Sequence, residues 1–341
     1  MNSSAQLCGP LLESVSRSFY LTLRILPRRL REPVSLAYLL ARATDTIADT
    51  RIIPASDRRA ALATLSQAIQ SRAITSEATA ISSSLVKHQA IEGERILLEK
   101  IGDCLALLSA QSPEDQALIA RVLETICSGQ DLDLARFDCG GGEGRQSPIH
   151  SLQTPDELDD YTYRVAGCVG EFWTEMCLLH LPACGKWDRA MSLERGIRFG
   201  KALQLTNILR DLPRDLRGGR CYLPLDEIQS VGLRPDDLID PARYATLQPV
   251  YERWLQIAFA HYRQAWDYTL QYPRRLWRMR LACAWPVLIG VETLSRLRGA
   301  GVNPLDATGR IKISRGEVWS IMARSTLWVW SDTRFAGLCR V

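Results

Sequence analysis

No stretch of this chain is apolar for long enough to cross a bilayer: the longest strongly apolar, uncharged run, Leu281 to Val291, has 11 residues, against the roughly 18 that a spanning helix needs. The first residues, Met1 to Leu12, lack the basic start and apolar run of a secretory leader. Ten cysteines are present, at 8, 104, 127, 139, 168, 177, 184, 221, 283 and 339, but none forms a C-x-x-C pair. That removes the common zinc and dithiol patterns and leaves small, reduced, buried hydrophobes. The four histidines, His88, His150, His180 and His261, have no metal-ligand spacing. There is no G-x-G-x-x-G, which the cluster from Gly140 to Gly144 misses, so no Rossmann fingerprint exists. A large charge excess is missing too. The balance of 42 basic and 38 acidic residues leaves +4, which suits an anionic substrate or membrane surface but demands no nucleic acid. These absences predict a cytoplasmic location with any membrane contact peripheral, and they say nothing about oligomeric state.

What is present is globular and helical. With 46% hydrophobic and 23% charged residues, the chain of 341 residues can bury a sizeable core. Leu, Ala and Arg abound and apolar positions recur at helical spacing. Thr154-Pro155-Asp156-Glu157 offers an N-cap, a first-turn proline and a capping-box carboxylate, so one helix is expected from Pro155 to about Leu181. Ser112-Pro113-Glu114-Asp115 and Ser314-Arg315-Gly316-Glu317 repeat that logic. Breaks near Pro27, Pro54, Gly218-Gly219, Pro235 and Pro304 are short and lead into further helices, so a single domain over 1–341 is expected, with its motif-bearing core at about 14–332. The stretch from Ser71 to Ser84 reads equally as a weak helix or a loop.

Two segments carry chemistry. On a helix, Tyr38, Arg42, Asp45 and Asp49 fall on one stripe. Alone, such a stripe reads as a solvated acidic face. It also suits Mg²⁺ held between hard oxygen ligands and a phosphate. A second copy shifts the balance: Gln204, Asn207, Asp211 and Asp215 follow at offsets of three, four and four. Pro213 removes a helical hydrogen bond and disfavours helical geometry at Leu212, so the helix is expected to kink or end there and to displace Asp215. Arg217-Gly218-Gly219-Arg220 then reads either as a basic turn over a phosphate or as an ordinary helix stop.

Taken with Ser16-Arg17-Ser18-Phe19, Tyr161-x-x-x-Val165-Ala166-Gly167-x-Val169-Gly170 and Gly219-Arg220-x-Tyr222-Leu223-Pro224, the two aspartate segments resemble the squalene/phytoene synthase family. Gly129-Gln130-Asp131-Leu132-Asp133-Leu134, Cys283-Ala284-Trp285-Pro286 and Lys312-Ile313-Ser314-Arg315-Gly316-Glu317 are smaller echoes. The blocks run in family order from Ser16 to Glu317. The detail from Arg210 to Asp215, with Val169-Gly170-Glu171-Phe172-Trp173, looks most like bacterial squalene synthases.

The resemblance implies an all-α isoprenoid-synthase fold around a central cavity, with the two aspartate motifs facing across it. It implies two farnesyl diphosphates as substrates, presqualene diphosphate as intermediate and NADPH as reductant. Asp45, Asp49, Asp211 and Asp215 would hold Mg²⁺. Ser16, Arg17, Phe19, Tyr38, Arg42, Gln204, Asn207, Arg210 and Arg220 would bind substrate, and Tyr161 would guide proton transfer. The NADPH site is not placed by any motif. Two departures stand out: where relatives often carry a glutamate before the last aspartate of each motif, this chain has Ala48 and Arg214. Synthases that stop at presqualene diphosphate, dehydrosqualene or phytoene share the scaffold. A non-catalytic assembly factor on the same fold is the reading of another class.

Overall fold

The computed structural model describes residues 3–16, 19–72, 85–137, 148–299, 301–306 and 311–339. Arg17, the Gly140 to Gly144 cluster and nearly all of the Ser71 to Ser84 stretch therefore lie outside the described residues. Helix dominates, as the spacing of apolar residues requires. Among the described residues the only extended pairing is His150–Ser151 with Arg220–Cys221, two residues each, running parallel.

The chain divides into two compact units, one of Met1–Gly140 with Phe172–Gly185 and the other of Gly141–Glu171 with Lys186–Val341. The first is organised on the 22-residue helix Arg28–Asp49, which packs against Ala55–Ser71, Glu92–Glu99, Ile101–Ser109 and Pro113–Phe137. Its inner face presents Leu30, Leu36, Leu39, Leu40, Ala43 and Ile47, all almost fully buried. Each leucine or isoleucine so placed contributes about 1.5–3 kcal/mol. The second unit is built on the 29-residue helix Arg189–Arg217, packed on Tyr244–Gln271, on Trp277–Leu297 and on the turn Tyr163–Gly167.

The caps form where the sequence signals them. Thr154 Oγ1 accepts from the Glu157 amide at 3.3 Å, Ser112 Oγ from the Asp115 amide at 3.1 Å, and Ser314 with Glu317 closes a capping box. The stretch expected as one helix from Pro155 is helical as far as His180, but Tyr163–Gly167 winds as a π turn between Pro155–Thr162 and Cys168–His180. In the second unit this turn comes against the long helix backbone to backbone. A Cβ on Gly170 would lie 1.8 Å from the Gly196 carbonyl oxygen, and one on Gly200 would lie 2.0 Å from that of Ala166. Only glycine permits that approach.

None of the described cysteines is in a disulfide, and most are buried. Burial pushes the Cys104, Cys127 and Cys168 thiols up to about 12, so these are packing groups rather than nucleophiles. Among the described residues no three His, Cys, Asp or Glu side chains form a metal-sized cluster. His180 instead bonds Asp115 at 2.6 Å, and burial lowers His261 to about 4.

Candidate active site

Each unit carries one polar stripe on its organising helix. In the first unit, Tyr38, Arg42, Asp45 and Asp49 line up on the side of Arg28–Asp49 that is not in the core. The helix end bearing the aspartates is fastened from several directions. Arg58, 2% exposed, donates from Nη1 to the Ala48 carbonyl at 2.8 Å and from Nε to the Ile53 carbonyl at 3.0 Å. Thr50 Oγ1 returns to the Thr46 carbonyl at 2.6 Å and accepts from Gln89 Nε2 at 2.6 Å. A cation at the carbonyl end of a helix also matches its dipole.

Asp45 is held by residues that the spacing argument does not select. Gln130 Nε2 donates to Asp45 Oδ1 at 2.5 Å and to Thr44 Oγ1 at 3.1 Å. Arg42 sits 3.9 Å from Asp45 and is drawn to Glu94, at 2.5 Å. Burial pushes the Asp45 carboxyl up to about 6, opposed by Arg42 and reinforced by Asp49, while Gln130 lowers it and Glu94 raises it. The side chain still keeps 48% of its surface. A carboxylate surrounded by protein yet reached by solvent fits a wall of a recess, where water screens part of the burial penalty. Gln130 Oε1 is buried with no donor among the described residues. Phe19 stacks on Tyr38 at 5.5 Å, and Ser16 is buried with its hydroxyl donating to the Leu12 carbonyl.

In the second unit the helix Arg189–Arg217 buries Ala202, Leu205, Ile208, Leu209, Leu212 and Leu216. Gln204, Asn207, Asp211 and Asp215 stay outside that core, as the three-four-four spacing predicts. Arg210 clamps Asp211 with two bonds, Nε to Oδ1 at 3.0 Å and Nη2 to Oδ2 at 2.6 Å. The helix does not end at Pro213: it runs on to Arg217 with Asp215 still in it. The reason is a distant side chain. Proline at 213 cannot donate to the carbonyl of Leu209, and that carbonyl instead accepts from Tyr251 Oη at 3.1 Å. Tyr251 is fully buried, and burial holds its phenol well above its ordinary pKa, so it stays a donor.

Tyr161 is 9% exposed and stacks on Tyr222 at 4.9 Å. The contact arises because Gly219, at φ +77°, turns the chain into Arg220–Cys221, which pairs with His150–Ser151. Two sequence blocks some 60 residues apart thereby meet. Of the residues departing from the family pattern, Arg214 is exposed and Ala48 is half-buried. Gln130, Glu94, Arg58 and Tyr251 escape the sequence reading. Only Gln130 carried a signal, as part of the Gly129-Gln130-Asp131-Leu132-Asp133-Leu134 block.

Residues 12–317 match the squalene/phytoene synthase family. The chain is 29% identical over 259 residues to a bifunctional lycopene cyclase/phytoene synthase of Gibberella fujikuroi, an alignment covering 75% of this chain and 41% of that one. It thus spans about two fifths of the length of that curated relative. Among solved structures, TcSQS in complex with the ligand E5700 superposes with a TM-score of 0.72 at 21% identity, covering 99% of this chain and 92% of the other. The squalene synthase HpnC from Alicyclobacillus acidocaldarius gives 0.60 at 18% identity, covering 86% and 93%. At such identities the likeness speaks for the all-α fold.

Proposed function

The chain belongs to the squalene/phytoene synthase family, and on that premise we propose that it is a squalene synthase. It would join two farnesyl diphosphates into presqualene diphosphate and reduce that intermediate to squalene with NADPH. The observation that carries this reading is the repeated stripe: two organising helices, each with aspartates four residues apart outside the core and an arginine beside them.

The donor chemistry fits Mg²⁺. Asp45, Asp49, Asp211 and Asp215 offer only hard oxygens. A cation would offset the burial of Asp45 and its neighbours Asp49 and Glu94, and would give the Gln130 oxygen, which has no donor among the described residues, a partner. Mg²⁺ bound there would screen diphosphate oxygens and stabilise the charge that grows as the leaving group departs. Arg42 with Arg17, and Arg210 with Arg220, would each bind diphosphate oxygens beside the aspartates of their own unit. Arg42 and Arg210 are already oriented by Glu94 and Asp211, so neither must be ordered at the moment of binding. Ser16, Gln204 and Asn207 would complete the contacts to substrate.

Ionisation of one farnesyl diphosphate breaks its C–O bond. The double bond of the second attacks the resulting carbon, and loss of a proton closes the cyclopropane. The stacked pairs Phe19–Tyr38 and Tyr161–Tyr222 offer ring faces to such cations, worth about 0.5–2 kcal/mol per contact. Tyr161 would guide the departing proton toward released diphosphate. In the second half-reaction the remaining diphosphate would leave, the cyclopropylcarbinyl cation would rearrange with cleavage of a ring C–C bond, and a hydride from NADPH would quench the cation, giving the open-chain product and NADP⁺. No residue of this chain is assigned to NADPH.

The curated relative supports a second reading, a phytoene synthase that uses the C20 diphosphate and ends by proton loss. Either reading predicts Mg²⁺-dependent release of inorganic diphosphate from an allylic prenyl diphosphate, abolished by Asp45→Ala or Asp211→Ala with circular dichroism unchanged. Absence of release from farnesyl and geranylgeranyl diphosphate alike would favour the non-catalytic assembly factor instead.

A further inference from the structure

The helix Arg315–Trp328 carries apolar groups on its outer face as well as its inner one. Ile321 and Ser325 point into the second unit, yet Trp319 is 63% and Leu327 66% exposed, with exposed Ala323 midway between them. Positions four apart share a face, so these three form one line about 12 Å long. Trp330, 55% exposed in the turn that follows, extends it and meets the Trp277 ring at 5.8 Å. Other large exposed apolar side chains, such as Ile52, Ile91 and Met191, are scattered singly, which is ordinary for a surface. Three within twelve residues are not.

Apart from two acids engaged in ion pairs, the charges around this line are positive. Arg315, Arg324, Arg334 and Arg278 are exposed, and among the described residues none is paired with a carboxylate. The two acids of the segment are already engaged, Glu317 by Arg296 and Asp332 by Arg274 and Arg280. Arg334 lies 4.1 Å over the Trp328 ring and Arg278 5.3 Å from that of Trp277, so guanidinium and indole are interleaved. Indoles that enter the headgroup layer beside unneutralised arginines match an anionic bilayer in both polarity and charge.

We propose that the Trp319–Leu327–Trp330 line with its arginines is the surface by which this protein docks, peripherally, on anionic phospholipid. The docking is independent of the proposed chemistry. It is tested by co-sedimentation of the full chain with vesicles of phosphatidylcholine alone or containing phosphatidylglycerol, at low and high salt. Binding at least tenfold tighter to the anionic vesicles, weakened by salt, is expected. Trp319→Ser with Leu327→Ser should lower partitioning roughly tenfold or more without lowering Tm, because both side chains already face solvent. Arg315→Glu with Arg324→Glu should erase the preference for anionic lipid. Failure of the wild-type chain to bind either vesicle overturns the proposal, as does unchanged binding by the serine variant. Self-association seen by light scattering and abolished by the serine substitutions, without vesicle binding, would make the occupant a second copy and equally overturn it.

Discussion

Replacing Tyr251 by phenylalanine removes one oxygen atom and with it the bond to the Leu209 carbonyl, which Pro213, having no N–H, cannot replace. An unsatisfied buried carbonyl costs about 1–3 kcal/mol. With about 2 °C of Tm per kcal/mol in a chain of this size, the expected loss is about 2–6 °C. The decisive variant is the double one. Pro213→Ala restores an N–H aimed at the same carbonyl, so it should rescue Tyr251→Phe while changing the wild-type chain far less. Thermal unfolding followed by circular dichroism for the four proteins gives the coupling directly. A coupling of 1 kcal/mol or more is expected; effects that add within about 0.3–0.5 kcal/mol would refute the reasoning.

Gly170→Ala forces a methyl group to within 1.8 Å of the Gly196 carbonyl oxygen, backbone against backbone, and should lower stability by at least the 1–3 kcal/mol typical of overpacking, read as Tm. Asp45→Asn removes one of the crowded negative charges and, discounting for its half-exposed side chain, should raise Tm slightly in metal-free buffer while weakening the stabilisation that Mg²⁺ gives the wild type; a lowered metal-free Tm would contradict the like-charge account. Asp332 is held down to about 2 by Arg274 first and then Arg280, below its ordinary value near 4. A carboxylate depressed on folding stabilises above its unfolded pKa, so this contribution is present above about pH 4 and disappears as pH falls toward 2. Asp332→Asn should flatten Tm against pH in that window, and an unaltered acid profile would argue against the pairing. Tyr161→Phe should impair formation of presqualene diphosphate more than its reduction, measured by supplying each substrate separately.

Both stripes were legible in the sequence because they rest on local geometry: residues three and four apart on a helix share a face whatever surrounds it. The same holds for the caps at Thr154, Ser112 and Ser314. What was illegible is long-range. Pro213 looks like a helix stop until Tyr251, 38 positions later, supplies the missing donor. Glu94 and Gln130 reach the first stripe from 52 and 85 residues away, and no spacing rule points to them. Arg58 looks like one surface arginine among many, yet it is buried and caps the helix that bears Asp45 and Asp49.

The central claim is that this chain condenses two farnesyl diphosphates and then reduces the product. Incubation with farnesyl diphosphate and Mg²⁺, with and without NADPH, followed by mass spectrometry of the extracted lipids, tests it most directly. Squalene with NADPH and presqualene diphosphate without it are predicted. A C30 hydrocarbon formed regardless of NADPH, or phytoene from geranylgeranyl diphosphate with no C30 product, would contradict it.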